Sequence, residues 1–215
     1  MKSIKIILLV IWIFTNVHCL IAQETIRYQT DFAPHDFAER RTKVLEAIGD
    51  NAIALIQGAN GNAGFNVFRQ TNSFYYLCGI ESAHAYLLLN GNNKRATLYL
   101  PHRDVDRERG EGKVLSAEDA AIVKELTGVD RVRGLEFLSA DLVGSGLIKP
   151  PGPVLFTPFS PAETGTDSRD ELLFGQARIA SDPWDGRPSR EAHLQSLLHQ
   201  RFPQYNNIVS CLHTR

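Results

Sequence analysis

Hydrophobic residues fall into short blocks separated by glycine, asparagine and proline, and the spacing within each block predicts the element it forms. Across residues 37–48, apolar Phe37, Val44, Leu45 and Ile48 alternate with Arg40, Arg41, Lys43 and Glu46, the period of an amphipathic helix. Gly49-Asp50-Asn51 supplies its stop. Residues 52–57 are almost continuously apolar, which predicts a strand buried on both faces. The glycine- and asparagine-rich stretch 58–64 reads as a loop. Residues 74–77 and 85–89 predict strands, and 96–100 pairs back on the latter as a hairpin across the 91–95 turn.

A charged loop follows over 102–113. Ser116, with Glu118 and Asp119 behind it, caps a helix that runs to Leu126 or Thr127 and stops near Gly128. Val132 marks a brief strand, 135–142 a helix, and 154–156 another strand beyond the Pro150-Pro151-Gly152-Pro153 break. Residues 157–170 and 181–188 are turn-dense, 171–179 reads as helical, and 189–202 as a final amphipathic helix with Leu194, Leu197 and Leu198 on its apolar side. Strands alternating with helices predict an α/β layer sandwich, a mixed β-sheet flanked by helices.

The first 23 residues stand apart. Lys2 and Lys5 precede nine unbroken apolar residues, 6–14, and then a polar break and a plausible cleavage zone at Ala22 or Gln23, the layout of a secretory signal. Nine helical residues rise about 14 Å, against the roughly 30 Å of a hydrocarbon core, so no membrane span is expected after cleavage. Cys19 offers an alternative reading as a lipoprotein acceptor, although Asn16-Val17-His18 lacks the usual small residues. Export makes the mature chain secreted or periplasmic and leaves Cys78 and Cys211, of which Cys78 is expected as a free buried thiol. With 23 Lys plus Arg against 24 Asp plus Glu, the chain has no basic field to attract nucleic acid.

Candidate chemistry is sparse. The acids of segment 102–112 are interleaved with Arg103, Arg107 and Arg109, which compete for them as ion pairs and favour a solvated charged loop over a metal site. Glu118 and Asp119 are accounted for by the helix dipole. Gly144-Ser145-Gly146 lacks the spacing of a nucleophile elbow, and Gly64 is followed by Phe65 rather than the lysine of a phosphate loop. His193 and His199 fall on opposite helix faces; His35, His84 and His102 read as isolated. The residues therefore predict no catalytic or metal-ligating set in this chain.

Five blocks, in one order, do carry a resemblance: the helix with Arg40-Arg41, the strand 52–57, the run Phe68-Arg69-Gln70-Thr71-Asn72-Ser73-Phe74-Tyr75-Tyr76-Leu77-Cys78-Gly79-Ile80-Glu81, the segment 103–112, and Gly128-Val129-Asp130-Arg131-Val132. Together they resemble the N-terminal domain of Xaa-Pro aminopeptidases, the aminopeptidase P or creatinase-prolidase family. The resemblance implies a creatinase-like α/β fold that helps the enzyme oligomerise and narrows the entrance to its active site. It implies a following catalytic domain, holding two divalent metal ions, commonly manganese, through two Asp, one His and two Glu, that removes an N-terminal residue preceding proline. The expected organisation is a signal at 1–23, the α/β domain at 34–150, and an extension and linker helix at 151–215 leading towards a catalytic domain absent from this chain. Arg69 and Gln70 are the candidate substrate-gating residues. Where family members often carry Glu-x-Trp-x-Gly, this chain has Glu108-Arg109-Gly110-Glu111-Gly112, so the tryptophan that reaches a neighbouring subunit is replaced by Gly110. The partners implied are the catalytic domain or further subunits, and a peptide substrate; a freestanding, non-catalytic interaction module is the alternative.

Overall fold

A computed structural model of the chain describes residues 31–59, 68–144, 154–158, 190–205 and 207–211. The signal predicted at 1–23, the helix predicted at 171–179, all of the turn-dense stretch 181–188 and most of 157–170 lie outside the described residues.

The first helix, α1 (Pro34–Ile48), opens with proline at its first position and with Asp36 accepting from the Ala33 amide at 2.9 Å. Strand β1 (Ala52–Gln57) follows, then α2 (Asn72–Cys78), β2 (Tyr86–Asn90), β3 (Arg95–Leu100) and α3 (Val105–Glu111). A 3-10 turn (Ala117–Asp119) leads into α4 (Ala120–Thr127) and β4 (Arg131–Gly134). A second 3-10 turn (Leu135–Phe137) leads into α5 (Leu138–Val143), and β5 (Val154–Pro158), α6 (Arg190–Arg201) and β6 (Asn207–Cys211) complete the order.

The six strands form one sheet in the order β4-β3-β2-β1-β5-β6. β2 is antiparallel to both neighbours, and the β1–β5, β5–β6 and β3–β4 pairs are parallel, so the sheet is mixed as expected. It continues across residue 150, because Ala52 pairs with Val154 and β6 adds to the far side of β5.

Strand alternation sorts the apolar residues into two cores. Ala54, Ile56, Leu87, Leu89, Ala96, Leu98 and Leu100 face one side, under α1, α2 and α4, with Leu45, Phe74, Leu77 and Val123. Ile53, Leu55, Leu88, Tyr99 and Leu155 face the other, with Leu142 of α5 and Leu198 of α6. Helices on both faces explain why β1 is a continuous apolar run. Beyond α6, buried Tyr205 donates from its hydroxyl to the Leu142 carbonyl at 2.6 Å and ties the two helices of the second layer together.

Two predicted elements differ. Residues 74–77, expected as a strand, belong to helix α2: Thr71 accepts the Phe74 amide at 3.4 Å and Gly79, at φ 66°, closes the other end. Phe74, Leu77 and Cys78, at helical spacing, point inward, while Tyr76 is 55% exposed. Gly79 is required twice over, since any Cβ there would overlap the Phe37 ring. The charged loop, in turn, contains the short helix α3, whose cap Asp104 accepts from the Asp106 and Arg107 amides at 3.1 and 3.0 Å.

Arg41 is the least expected member of the core. The sequence pattern places it on the polar side of α1, yet it is only 3% exposed and shares the inner face with Phe37 and Leu45. Its guanidinium donates to the carbonyls of Leu77, Thr127 and Gly128, each at 2.8 Å. These belong to the C-terminal ends of α2 and α4, where carbonyls have no intrahelical partner and carry partial negative charge. Burial pulls the Arg41 pKa down, opposed by Cys78 and Asp130, and the guanidinium stays charged. Beside it Cys78 is a free buried thiol, as expected, its pKa pushed up to about 12 by burial.

Replacing Arg41 with Met removes three donors from buried carbonyls, each loss costing about 1–3 kcal/mol. Urea denaturation of Arg41→Met should show a midpoint lowered by a stability loss of about 3 kcal/mol or more. An unchanged midpoint would refute the capping role.

Candidate functional site

Polar side chains gather in two places. The first surrounds Arg69 and Gln70, just before α2. Gln70 is 4% exposed, and its amide is fully engaged within the domain. The Oε1 atom accepts from the Ala59 and Thr71 amides, the latter at 2.9 Å, and Nε2 donates to the Ser82 carbonyl at 3.1 Å. Gln70 thereby stitches the end of β1 to the segment entering α2 and to the turn before β2. Ser82 extends the stitch by donating to the Leu115 carbonyl at 2.7 Å. Arg69 points the opposite way, exposed, with Glu81 at 3.4 Å. The two residues are neighbours in sequence but divide the work, Gln70 holding the backbone and Arg69 presenting charge to solvent.

The second lies at the C-terminal end of β3. His102, expected to be isolated, is bridged by two carboxylates: Nδ1 meets Glu118 at 2.5 Å and Nε2 meets Glu136 at 3.1 Å. The other Glu118 oxygen accepts the Arg103 amide at 2.9 Å. Arg103 reaches Asp119 at 2.7 Å, with Glu108 at 3.6 Å. Asp119 also accepts from the Ser116 amide and hydroxyl at 3.1 and 2.8 Å and from Lys113 at 3.2 Å. The helix dipole thus accounts for only part of what Glu118 and Asp119 do. Arginine competition for the acids, by contrast, is what the sequence pattern predicts, with Arg109 on Asp106 at 3.0 Å as a further case.

Electrostatics follow from these contacts. Hydrogen bonds to Glu118, then to Glu136, raise the His102 pKa. The same His102 bond, then the Arg103 amide, hold Glu118 down at about 2. For Asp119 burial pushes upward, but the Ser116, Arg103 and Lys113 donors outweigh it and leave the carboxyl at about 2. Each carboxylate that approaches His102 or Arg103 faces a cation, although Glu108 Oε1, 3.6 Å from Arg103, has no hydrogen-bond partner. Among the described residues no cluster of three His, Cys, Asp or Glu is arranged to hold a metal ion, and no helix is long and apolar enough to cross a membrane.

A family model described as the aminopeptidase P N-terminal domain matches residues 37–145. A "Probable Xaa-Pro aminopeptidase" of Aspergillus fumigatus is 39% identical over 75 residues, which is 35% of this chain and 15% of that protein. A second, from Aspergillus niger, is 29% identical over 143 residues, 62% of this chain and 28% of the relative. Xaa-Pro aminopeptidase 3 of Homo sapiens is 39% identical over 75 residues, 32% and 14% of the two chains. Among solved structures, a Bacillus anthracis protein assigned as an aminopeptidase P matches with a TM-score of 0.59 at 17% identity, covering 83% of this chain and 38% of that one. At that identity the likeness is one of fold. The chain spans well under half the length of each of these proteins.

Two outcomes test the geometry. Gln70→Leu should destabilise the fold by about 2–4 kcal/mol in urea titration, because buried backbone groups lose their partners, whereas Arg69→Ala should change stability by less than about 1 kcal/mol. Asp119, with its folded pKa below the ordinary 3.8, contributes stability that is present above 3.8 and is lost as pH falls through about 2. Asp119→Asn should therefore be destabilised near neutrality by about 2 kcal/mol and show a flatter loss of stability between pH 4 and pH 2.

Proposed function

The chain belongs to the aminopeptidase P N-terminal domain family, and on that footing we propose that it is the N-terminal part of a secreted Xaa-Pro metalloaminopeptidase. The enzyme so completed removes an N-terminal residue that precedes proline. The match across residues 37–145 carries this reading, supported by a mixed sheet layered with helices on both faces. In it the N-terminal segment 1–23 directs export, and the folded domain contributes to oligomerisation and narrows the approach to the active site.

In this reading the metal chemistry, with manganese as the proposed ion, belongs to a separate catalytic domain rather than to the domain matched at 37–145. What the domain itself supplies is positioning. Gln70 fixes the backbone from which Arg69 projects, and Arg69 is the charged group offered to a peptide approaching that edge.

Purified chain, incubated with an X-Pro peptide and manganese, should release no N-terminal residue; metal-dependent turnover would overturn the reading. Sequencing the gene beyond the codon for Arg215 should find a frame encoding the two Asp, one His and two Glu ligands, whereas a gene without one would favour a freestanding interaction module.

A further inference from the structure

His102 occupies a position that chemistry restricts. Its two ring nitrogens face carboxylates on separate segments: Glu118 in the 3-10 turn that opens α4, and Glu136 in the 3-10 turn that follows β4. A carboxylate only accepts hydrogen bonds, so both contacts are satisfied together only when both nitrogens carry protons. Neutral imidazole has one N–H, and its other nitrogen then turns a lone pair towards a carboxylate. The contact to lose is set by the surroundings: Glu118 is nearer and is fixed on its second oxygen by the Arg103 amide, while Glu136 is half exposed and meets His102 at 3.1–3.2 Å.

We propose that His102 is a protonation latch: doubly protonated it ties the end of β3 to both the α4 entry and the turn after β4, and on losing the Nε2 proton to solvent it releases Glu136 while keeping Glu118. The charged groups around it are Arg103 on its own segment, Glu108 of α3, Lys113 before the 3-10 turn, Glu118 and Asp119 within that turn, Arg133 of β4 and Glu136. Arg103 and Lys113 are committed to Asp119, and Arg133 to Asp141 at 2.5 Å, so the two glutamates are the groups that respond to the ring. The segment that gains freedom is the turn Leu135–Phe137 that carries Glu136, because Glu118 keeps the Arg103 amide and Asp104 keeps the Asp106 and Arg107 amides.

The direction of the pH effect follows from the raised His102 pKa. The latch is closed below the ordinary histidine value of 6.5 and opens as pH rises through the higher folded value. On the acid side it needs both carboxylates ionised: Glu118 is held down at about 2, and Glu136 lies below its ordinary 4.5. A second handle avoids charge altogether: the Glu136 carboxylate lies over the Cα of Gly134, so Gly134→Ala displaces that flexible side chain without removing any ionisable group.

The test is an NMR titration of the full chain, with His102 assigned by comparison with His102→Gln, together with amide exchange from Leu135 to Leu138, the turn that carries Glu136, corrected for intrinsic pH dependence. His102 should titrate above 6.5, and both Glu136→Gln and Gly134→Ala should lower that value. Exchange should quicken about two- to fivefold above the transition, as expected for an exposed ion pair, and lose this step in His102→Gln. Titration of His102 at or below 6.5, or corrected exchange with the same pH profile in wild type and His102→Gln, would overturn the proposal.

Discussion

One buried cation organises the first layer of this domain. Arg41 leaves the middle of α1, enters the core and ends on three carbonyls that two different helices cannot satisfy themselves. A hydrophobic residue at that position would pack but leave the carbonyls bare, and a lysine would offer no planar fork to reach both helix ends. The charge is thus held by oriented backbone dipoles. One side chain links the C-terminal ends of α2 and α4 to the middle of α1. Gly79 completes the arrangement, since it ends α2 at the point where the Phe37 ring, one turn before Arg41, lies against the backbone.

Around that joint the sheet does two jobs. Its alternating side chains build separate cores, and the polar network at the C-terminal end of β3 grows from the same strand whose Tyr99 donates to Asp141 on the opposite layer at 2.7 Å. Asp141 in turn receives Arg133, which stacks over Phe137 at 4.1 Å. Helix α5 is therefore tied to β3 and β4 by polar contacts as well as by its apolar face. This rim and the Gln70 stitch share a habit: a polar side chain holds two backbone segments, and the exposed charges beside it are left to the surface.

Legibility in the sequence followed the range of the interaction. The α1 period, the double-sided burial of β1, the β2–β3 hairpin and the Ser116 to Gly128 helix were all readable, because each is set by neighbours within a few residues. Helix α2 runs against its side-chain types, because Phe74, Tyr75, Tyr76 and Leu77 favour strands, whereas the deciding signals are the cap at Thr71 and the left-handed stop at Gly79. In α3 the Asp104 cap was present, but without an apolar stripe the segment resembled a solvated loop. The burial of Arg41 and Gln70 and the bridging of His102 are not legible in the sequence: apart from the Thr71 amide on Gln70, their partners lie from 10 to 87 residues away, and nothing local distinguishes a buried arginine or a bridged histidine from a surface one. Family resemblance, which depends on several blocks in order, was accordingly more informative about this chain than any single residue type.

The place of β1 in the sheet bears on how the chain is made. β1 lies between β2, which follows closely, and β5, which pairs with it from about a hundred residues downstream. At ordinary ribosomal speeds of about 5–20 residues per second, that gap leaves one edge of β1 unpaired for roughly 5–20 seconds after the strand emerges. The edge is Ala52-Ile53-Ala54-Leu55-Ile56, apolar on both faces and without a charge to discourage other strands. Helices α1, α2 and α4 cover one face early, but Leu155 and Leu198 reach the other only once the late segments exist. The nascent domain is thus half of a sandwich, its second side open to other strands until β5 docks.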